Sequence, residues 1–315
     1  MQIIVSGSLA HDQIMNFPEA FNDHIMPDKL HVMSVSFLVN HLQKNFGGTA
    51  GNISYNLGIL GESPICIATL GKDAQEYIEL LKKHGVNVAY IQQLENDYTS
   101  SFVVITDIKD CQIAGFYPGA MQKDVDLSIE PILKEQKLQA SDVFWVIAPT
   151  DTKAMAKFVK QAHELGIRYL YSPAQQIPQL TKEELLEGIS KAEILIGNDY
   201  ELALLEKKIG LSKEEILSQV KIMITTLNDR GSMIEQTGKE ETMIGVAKPR
   251  ALKDPTGVGD AYIAGFLSRY LKEKSLAECG QAGAIAATYV LEEYGTTSHS
   301  YTLDLFQNRL KENFG

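Results

Sequence analysis

Six short apolar runs rich in β-formers are spaced along the chain: "QIIVSG", "SPICIATL", "VFWVIAP", "IRYLYSP", "AEILIGN" and "VKIMITTL". Between them lie segments with helical periodicity, "TAGNISYNLGILG", "DAQEYIELLKKHG", "TKAMAKFVKQAHELG" and "DYELALLEKKIG", each closing at glycine as helix C-termini often do. Apolar runs alternating with amphipathic helices predict βαβ units. The expected fold is α/β, with a doubly wound, mainly parallel central sheet flanked by helices. A single domain spanning 1–315 accommodates all of these units.

Two stretches break the alternation. Residues 13–46, including "HVMSVSFLVNHLQKNF", and residues 99–117, "TSSFVVITDIKDCQIAGFY", have strand composition with no helix between. The second contains the turn-like "DIKD" at 107–110. They predict a small antiparallel β-sheet inserted beside the main one, placed as a lid over the crevice at the strand C-terminal edge. Near the carboxyl end, "LAECGQAGAIAATYVLEEYG" reads as a long helix whose Ala/Gly face permits close packing.

Composition narrows the picture. A formal net charge of −11 argues against a nucleic-acid partner, because such affinity rests on clustered Lys and Arg. A small anion bound locally by backbone amides remains compatible with that charge. The three cysteines, Cys66, Cys111 and Cys279, are far apart and form no C-x-x-C, so neither a disulfide frame nor a zinc site is expected. The start, "MQIIVSGSLAHD", has no basic region before its apolar run and reads as a first strand. A cytoplasmic protein without a membrane partner is expected. The residues leave monomer and homodimer both open.

The candidate chemistry centres on "DPTGVGDAYIAGF", residues 254–266. Gly257 and Gly259 leave the backbone open at a helix start, where unpaired N–H groups and the helix dipole bind an anion such as phosphate. Asp260 does not suit a phosphate ligand. It suits a base that takes a proton from a hydroxyl attacking a γ-phosphoryl group, although an acidic residue in a first turn also stabilises the helix dipole. The motif alone fits both.

"DPTGVGDAYIAGF" resembles the C-terminal signature of the ribokinase-like (PfkB) family of carbohydrate and nucleoside kinases, with Pro255 and Val258 in place of the usual Thr and Ala. Four further elements follow the family order. "FGGTAGNISYNLGILG" is similar to its N-terminal signature, which implies sugar contacts at Gly47, Gly48 and Asn52. "GSLAHD" would place Asp12 at the C-terminal edge of the first strand, to hold two ribose hydroxyls. "NDYE" resembles the N-x-x-E element, implying that Asn198 and Glu201 support Mg2+ and phosphate through bound water, with no direct protein ligand. "TTLNDRGS" resembles a T-L-G-x-x-G nucleotide turn through Thr226 and Gly231. Asn228 replaces its first glycine, and Asn tolerates positive φ better than most residues.

The resemblance implies MgATP as phosphoryl donor, Asp260 as catalytic base, and the amides of Gly257, Val258 and Gly259 as stabilisers of the transferring charge. The acceptor depends on the lid and first-strand residues. Phe37, Leu38, Phe102, Val104, Phe116 and Tyr117 make the lid segments apolar and aromatic, which suits a stacked nucleobase better than a bare sugar. With "FYPGAM" and "AATYVLEEYGTTSH", the pattern is similar to adenosine and nucleoside kinases. The expectation is ATP-dependent phosphorylation of a nucleoside 5′-hydroxyl, adenosine first, with Phe102 or Phe116 against the base. The alternatives are a ribokinase-type sugar kinase and a nucleoside-binding protein without turnover.

Overall fold

The computed structural model describes residues 1–109 and 111–315. Its strands are β1 (Gln2–Ser6), β2 (Ala10–Asn16), β3 (His41–Gly47), β4 (Ile65–Gly71), β5 (Ile91–Leu94), β6 (Ser100–Thr106) and β7 (Gln112–Tyr117). They continue with β8 (Val143–Ile147), β9 (Arg168–Tyr171), β10 (Ile194–Asn198), β11 (Ile222–Thr226), β12 (Ser232–Glu235) and β13 (Thr242–Ile244). The helices are α1 (Thr49–Ile59), α2 (Gln75–Lys83), α3 (Glu130–Gln136), α4 (Thr152–Leu165) and α5 (Lys182–Ser190), then α6 (Asp199–Ile209), α7 (Lys213–Leu217), α8 (Val258–Tyr270), α9 (Leu276–Leu291) and α10 (Leu303–Phe314).

Nine strands form the large sheet in the order β13-β12-β11-β10-β9-β8-β1-β4-β5. All pairings from β11 to β5 are parallel, and β12 alone runs against the rest, pairing antiparallel with both β11 and β13. Successive residues of a strand point to opposite faces. Ile3 and Val5 enter one core with α1, α2, α8 and α9, while Ile4 enters the other with α4, α5 and α6. That double burial explains why the strand runs read as continuous apolar stretches. The chain builds outward from β1 through β4 to β5, then returns to β8 on the other side of β1. Beside β1 the winding direction reverses, and a crevice opens at the strand C-termini there.

Helix ends fall where the glycines predict. Gly166 and Gly210 adopt φ of 69° and 72° and close α4 and α6. The small-residue face of α9 lets α8 approach until a Cβ on Gly265 would lie 2.4 Å from the Ala282 carbonyl oxygen.

The predicted second sheet is present, with strand order β3-β2-β6-β7. Two of its three pairings are antiparallel, and β2 pairs with β6 in parallel. Both β2 and β6 follow strands that leave the same C-terminal edge, β1 and β5, so they project in one direction. Strand composition over-reached in the first insertion. Residues 17–40 form two short 3-10 turns, Phe21–Asp23 and Pro27–Val32, and extended coil. Phe17, Phe21 and Phe37 collapse there into an aromatic cluster with centroids 4.9–5.7 Å apart, so side-chain packing takes the place of ladder hydrogen bonds. Of the expected turn at 107–110, Asp110 lies outside the described residues. Asp107 accepts hydrogen bonds from the backbone amides of Phe21, Lys109 and Cys111, which ties that turn to the insertion.

Candidate active site

The crevice is walled by the N-terminus of α8, the Gly47–Asn52 segment and the small sheet. Gly257 caps α8 with φ of 78°. A Cβ there would lie 2.8 Å from the Thr296 methyl and 3.5 Å from Asn52 Nδ2, so both conformation and space demand glycine. Among the described residues, the amides of Gly257 and Gly259 have no protein acceptor, and that of Val258 makes only a 3.4 Å contact with the Pro255 carbonyl. Open donors at the positive end of a 13-residue helix form an anion site.

Asp260 lies in the first turn, half-buried at the crevice floor. The Asn52 Nδ2–H donates to its Oδ2 at 2.8 Å. Burial raises its pKa, the Asn52 hydrogen bond partly offsets that, and Glu201 adds repulsion, leaving the carboxyl at about 7. Such a group suits a proton acceptor at neutral pH. Asn52 is buried, and its Oδ1 has no protein partner among the described residues.

Gly47 and Gly48 both sit where side chains cannot. A Cβ on Gly47 would lie 2.3 Å from Asp12 Oδ2, and one on Gly48 (φ 87°) 2.5 Å from the Ser8 carbonyl oxygen. Asp12 belongs to β2, not to the end of β1: the chain turns after Ser6, and Asp12 is the third residue of the small sheet's inner strand. Burial, then repulsion from Asp254, raises its pKa to about 6.

Strand register places the aromatic candidates. Asp12 is opposite Asn45 on β3 and beside Phe102 on β6, and Phe102 is opposite Phe116 on β7. Residues in register share a face, so Asn45, Asp12, Phe102 and Phe116 form one row across the sheet. Phe102 and Phe116 are 36% and 53% exposed, so their rings are available to a ligand. The other in-register positions of this face, including His41, Gln43, Ile14, Val104 and Ala114, contribute no Lys or Arg.

The nucleotide-side candidates sit together at the C-termini of β10 and β11, where Asn198 pairs in register with Thr226. Asn198 and Glu201 form a reciprocal capping box: Asn198 Oδ1 accepts from the Glu201 amide, and Glu201 Oε2 accepts from the Asn198 amide. Burial raises the Glu201 pKa, and the same carboxylate repels Asp260. Asn228 adopts φ of 53°, the conformation its glycine-like position requires. Gly231 (φ 86°) closes the turn with a Cβ position 2.0 Å from the Ile244 carbonyl oxygen. Asp254, Gly295 and Thr296 lie beside these groups; they fall inside the quoted motifs, but no role follows for them from sequence alone. The Gly295 amide donates to Asp254 Oδ2, and the Thr296 hydroxyl donates to the Phe46 carbonyl.

A raised-pKa carboxylate beside open amides at a helix N-terminus, in the switch-point crevice of a doubly wound sheet, suits phosphoryl transfer to a hydroxyl group, and the matches to kinases make this protein a kinase of that class. Residues 12–303 match the model of the pfkB family of carbohydrate kinases, and the chain belongs to that family. It is 28% identical over 316 residues to a nucleoside kinase of Methanocaldococcus jannaschii, covering 99% of this chain and 97% of that protein. Its structure is similar to that of a Burkholderia thailandensis nucleoside kinase in complex with inosine, with a TM-score of 0.86, 28% identity, and coverage of 99% and 98% of the two chains. The same kinase in complex with ADP-inosine matches with a TM-score of 0.83, 29% identity, and coverage of 99% and 96%.

Proposed function

We propose that this protein transfers the γ-phosphoryl group of MgATP to the 5′-hydroxyl of a purine nucleoside, with adenosine the leading acceptor and inosine the nearest competitor. The observation that carries the reading is the in-register row Asn45, Asp12, Phe102 and Phe116, which sets hydroxyl-binding groups beside two exposed rings. Ribose hydroxyls would bond to the Asp12 carboxylate and the Gly48 amide, and the purine would stack on Phe102 or Phe116. Asp12, Asp254, Glu201 and Asp260 gather negative charge in the crevice, and the small sheet's row face offers no cation. Both features disfavour a sugar phosphate. The relatives named nucleoside kinase, one of them bound to inosine, support the same reading.

In the reaction, Asp260 accepts the 5′-hydroxyl proton while that oxygen bonds to phosphorus. ADP leaves with the electrons of the broken bond. The open amides of Gly257, Val258 and Gly259 stabilise charge on the transferring group. The acceptor's hydroxyl is thereby held between the base and the helix N-terminus.

Among the described residues no group of three metal-binding side chains occurs. The oxygens of Asn198 and Glu201 nonetheless suit Mg2+ held through water, a hard cation that keeps much of its hydration. Bound there, the ion would neutralise charge on the nucleotide phosphates. The small sheet acts as a lid in this scheme, and Thr226, Asn228 and Gly231 border the nucleotide. The test is a coupled ADP-release assay with adenosine, inosine, guanosine, cytidine, ribose and fructose 6-phosphate. Turnover of ribose or fructose 6-phosphate with none of any nucleoside would overturn the proposal.

A further inference from the structure

The third glycine of "GGTAG", Gly51, has no part in the chemistry above, and its reason lies on another helix. A Cβ on Gly51 would sit 1.7 Å from the Tyr77 hydroxyl oxygen and 2.8 Å from Tyr77 Cζ. Tyr77 projects from α2, is fully buried, and stacks on Phe46 at 4.7 Å between centroids. Its hydroxyl passes over Gly51 and donates to the Gly47 carbonyl oxygen at 2.6 Å.

A trans peptide points its C=O and its following N–H in opposite directions. Anchoring the Gly47 carbonyl on the buried Tyr77 therefore turns the Gly48 N–H the other way. Among the described residues that N–H finds no protein acceptor, and Gly48 is only partly buried, so the donor is free to meet a ligand. Gly47 also packs against the Asp12 carboxylate. The same tyrosine thus fixes the peptide plane that separates its own buried hydroxyl from the acceptor site.

We infer that Tyr77 is a positioning residue: acting through the Gly47–Gly48 peptide, it aims the Gly48 amide at a hydroxyl of the phosphoryl acceptor, and Gly51 is glycine to let the phenol through. This rests on the nucleoside reading above for the identity of the acceptor. Tyr77 acts on the acceptor side only, because the peptide it orients borders Asp12 and not the nucleotide turn at Thr226–Gly231.

The test is steady-state kinetics of Tyr77→Phe, Gly51→Ala and the double variant, with melting temperatures recorded. Tyr77→Phe should raise KM for the nucleoside about tenfold, the loss of one buried hydrogen bond, with KM for ATP within about twofold of wild type. Gly51→Ala displaces the phenol and should show the same split, and Tyr77→Phe should add little on top of it because the hydrogen bond is already broken. Equal rises in both KM values, no rise in either, or additive effects in the double variant would overturn the assignment. A wild type that phosphorylates ribose and no nucleoside would instead defeat the functional reading, and the same split measured with ribose would still test Tyr77.

Discussion

The hydrogen bond from Asn52 to Asp260 gives a quantitative prediction for the pH dependence of turnover. With the Asp260 carboxyl held up at about 7 in the free protein, only the ionised form can accept the hydroxyl proton, so kcat should rise with pH to a midpoint set by this carboxyl in the substrate complex. Below it the rate should fall about tenfold per pH unit, as for any single required base. Burial holds the pKa up, and the Asn52 amide, 2.8 Å from Oδ2, works against it. Replacing Asn52 with Leu removes a donor to the charged form while keeping similar bulk. A hydrogen bond to a charged group contributes about 1.5–3 kcal/mol, and each pKa unit corresponds to about 1.4 kcal/mol. The acid limb of Asn52→Leu should therefore move up by about one to two pH units, while turnover recovers at high pH. The assay is ADP release at saturating nucleoside and MgATP across about pH 5.5 to 9.5, with kcat and not kcat/KM as the readout. That choice matters because Asp12, held at about 6, adds its own limb to acceptor binding. A midpoint that stays put in a folded Asn52→Leu protein, or a flat wild-type profile, would refute Asp260 as a base tuned by Asn52.

Replacing Asp260 with Asn should lower kcat by roughly 10²–10⁴-fold and abolish the acid limb, with melting temperature and nucleotide binding retained; near-normal turnover would remove its role. Phe102→Ala should cost the nucleoside about 1–3 kcal/mol of binding through lost stacking and leave any weak ribose turnover unchanged, read as the ratio of the two kcat/KM values. Asp124 offers a stability test remote from the crevice. Its buried carboxyl is held at about 7, raised by burial and restrained by hydrogen bonds with Thr150 and Thr69. A folded-state pKa above the usual carboxylate value contributes stability that is fully present below that usual value and is lost as pH rises through about 7. The neutral form also suits the geometry, since the Thr69 hydroxyl lies 2.6 Å from both Asp124 Oδ1 and the Ala120 carbonyl oxygen and has one proton to give. Asp124→Asn should therefore melt higher than wild type at pH well above 7, with the gap closing toward acid pH. Thermal melts across that range would show a constant or reversed gap if the carboxyl were ionised throughout.

Local chemistry made much of the fold legible. Continuous apolar runs marked strands buried on both faces, and glycines such as Gly166 and Gly210 marked helix ends because only they take positive φ freely. The left-handed turn at Asn228 was foreseeable for the same reason. Strand composition misled at 31–40, where apolar residues pack as an aromatic cluster and coil. Asp12 was assigned to the end of β1, because sequence does not say where one strand stops and a second sheet begins.

The sequence by itself determined the alternation of β and α, the glycine turn before Asp260 and the capping box at Asn198, since each depends on residues within a few positions of one another. Only the tertiary structure decided what those pieces do together. Asn52 reaches Asp260 across 208 residues, Tyr77 governs Gly47 from another helix, and strand register sets Phe102 and Phe116 in one row with Asp12. Such contacts depend on the register of strands and the seating of helices, which arise when two cores form around a shared sheet and which no local propensity encodes.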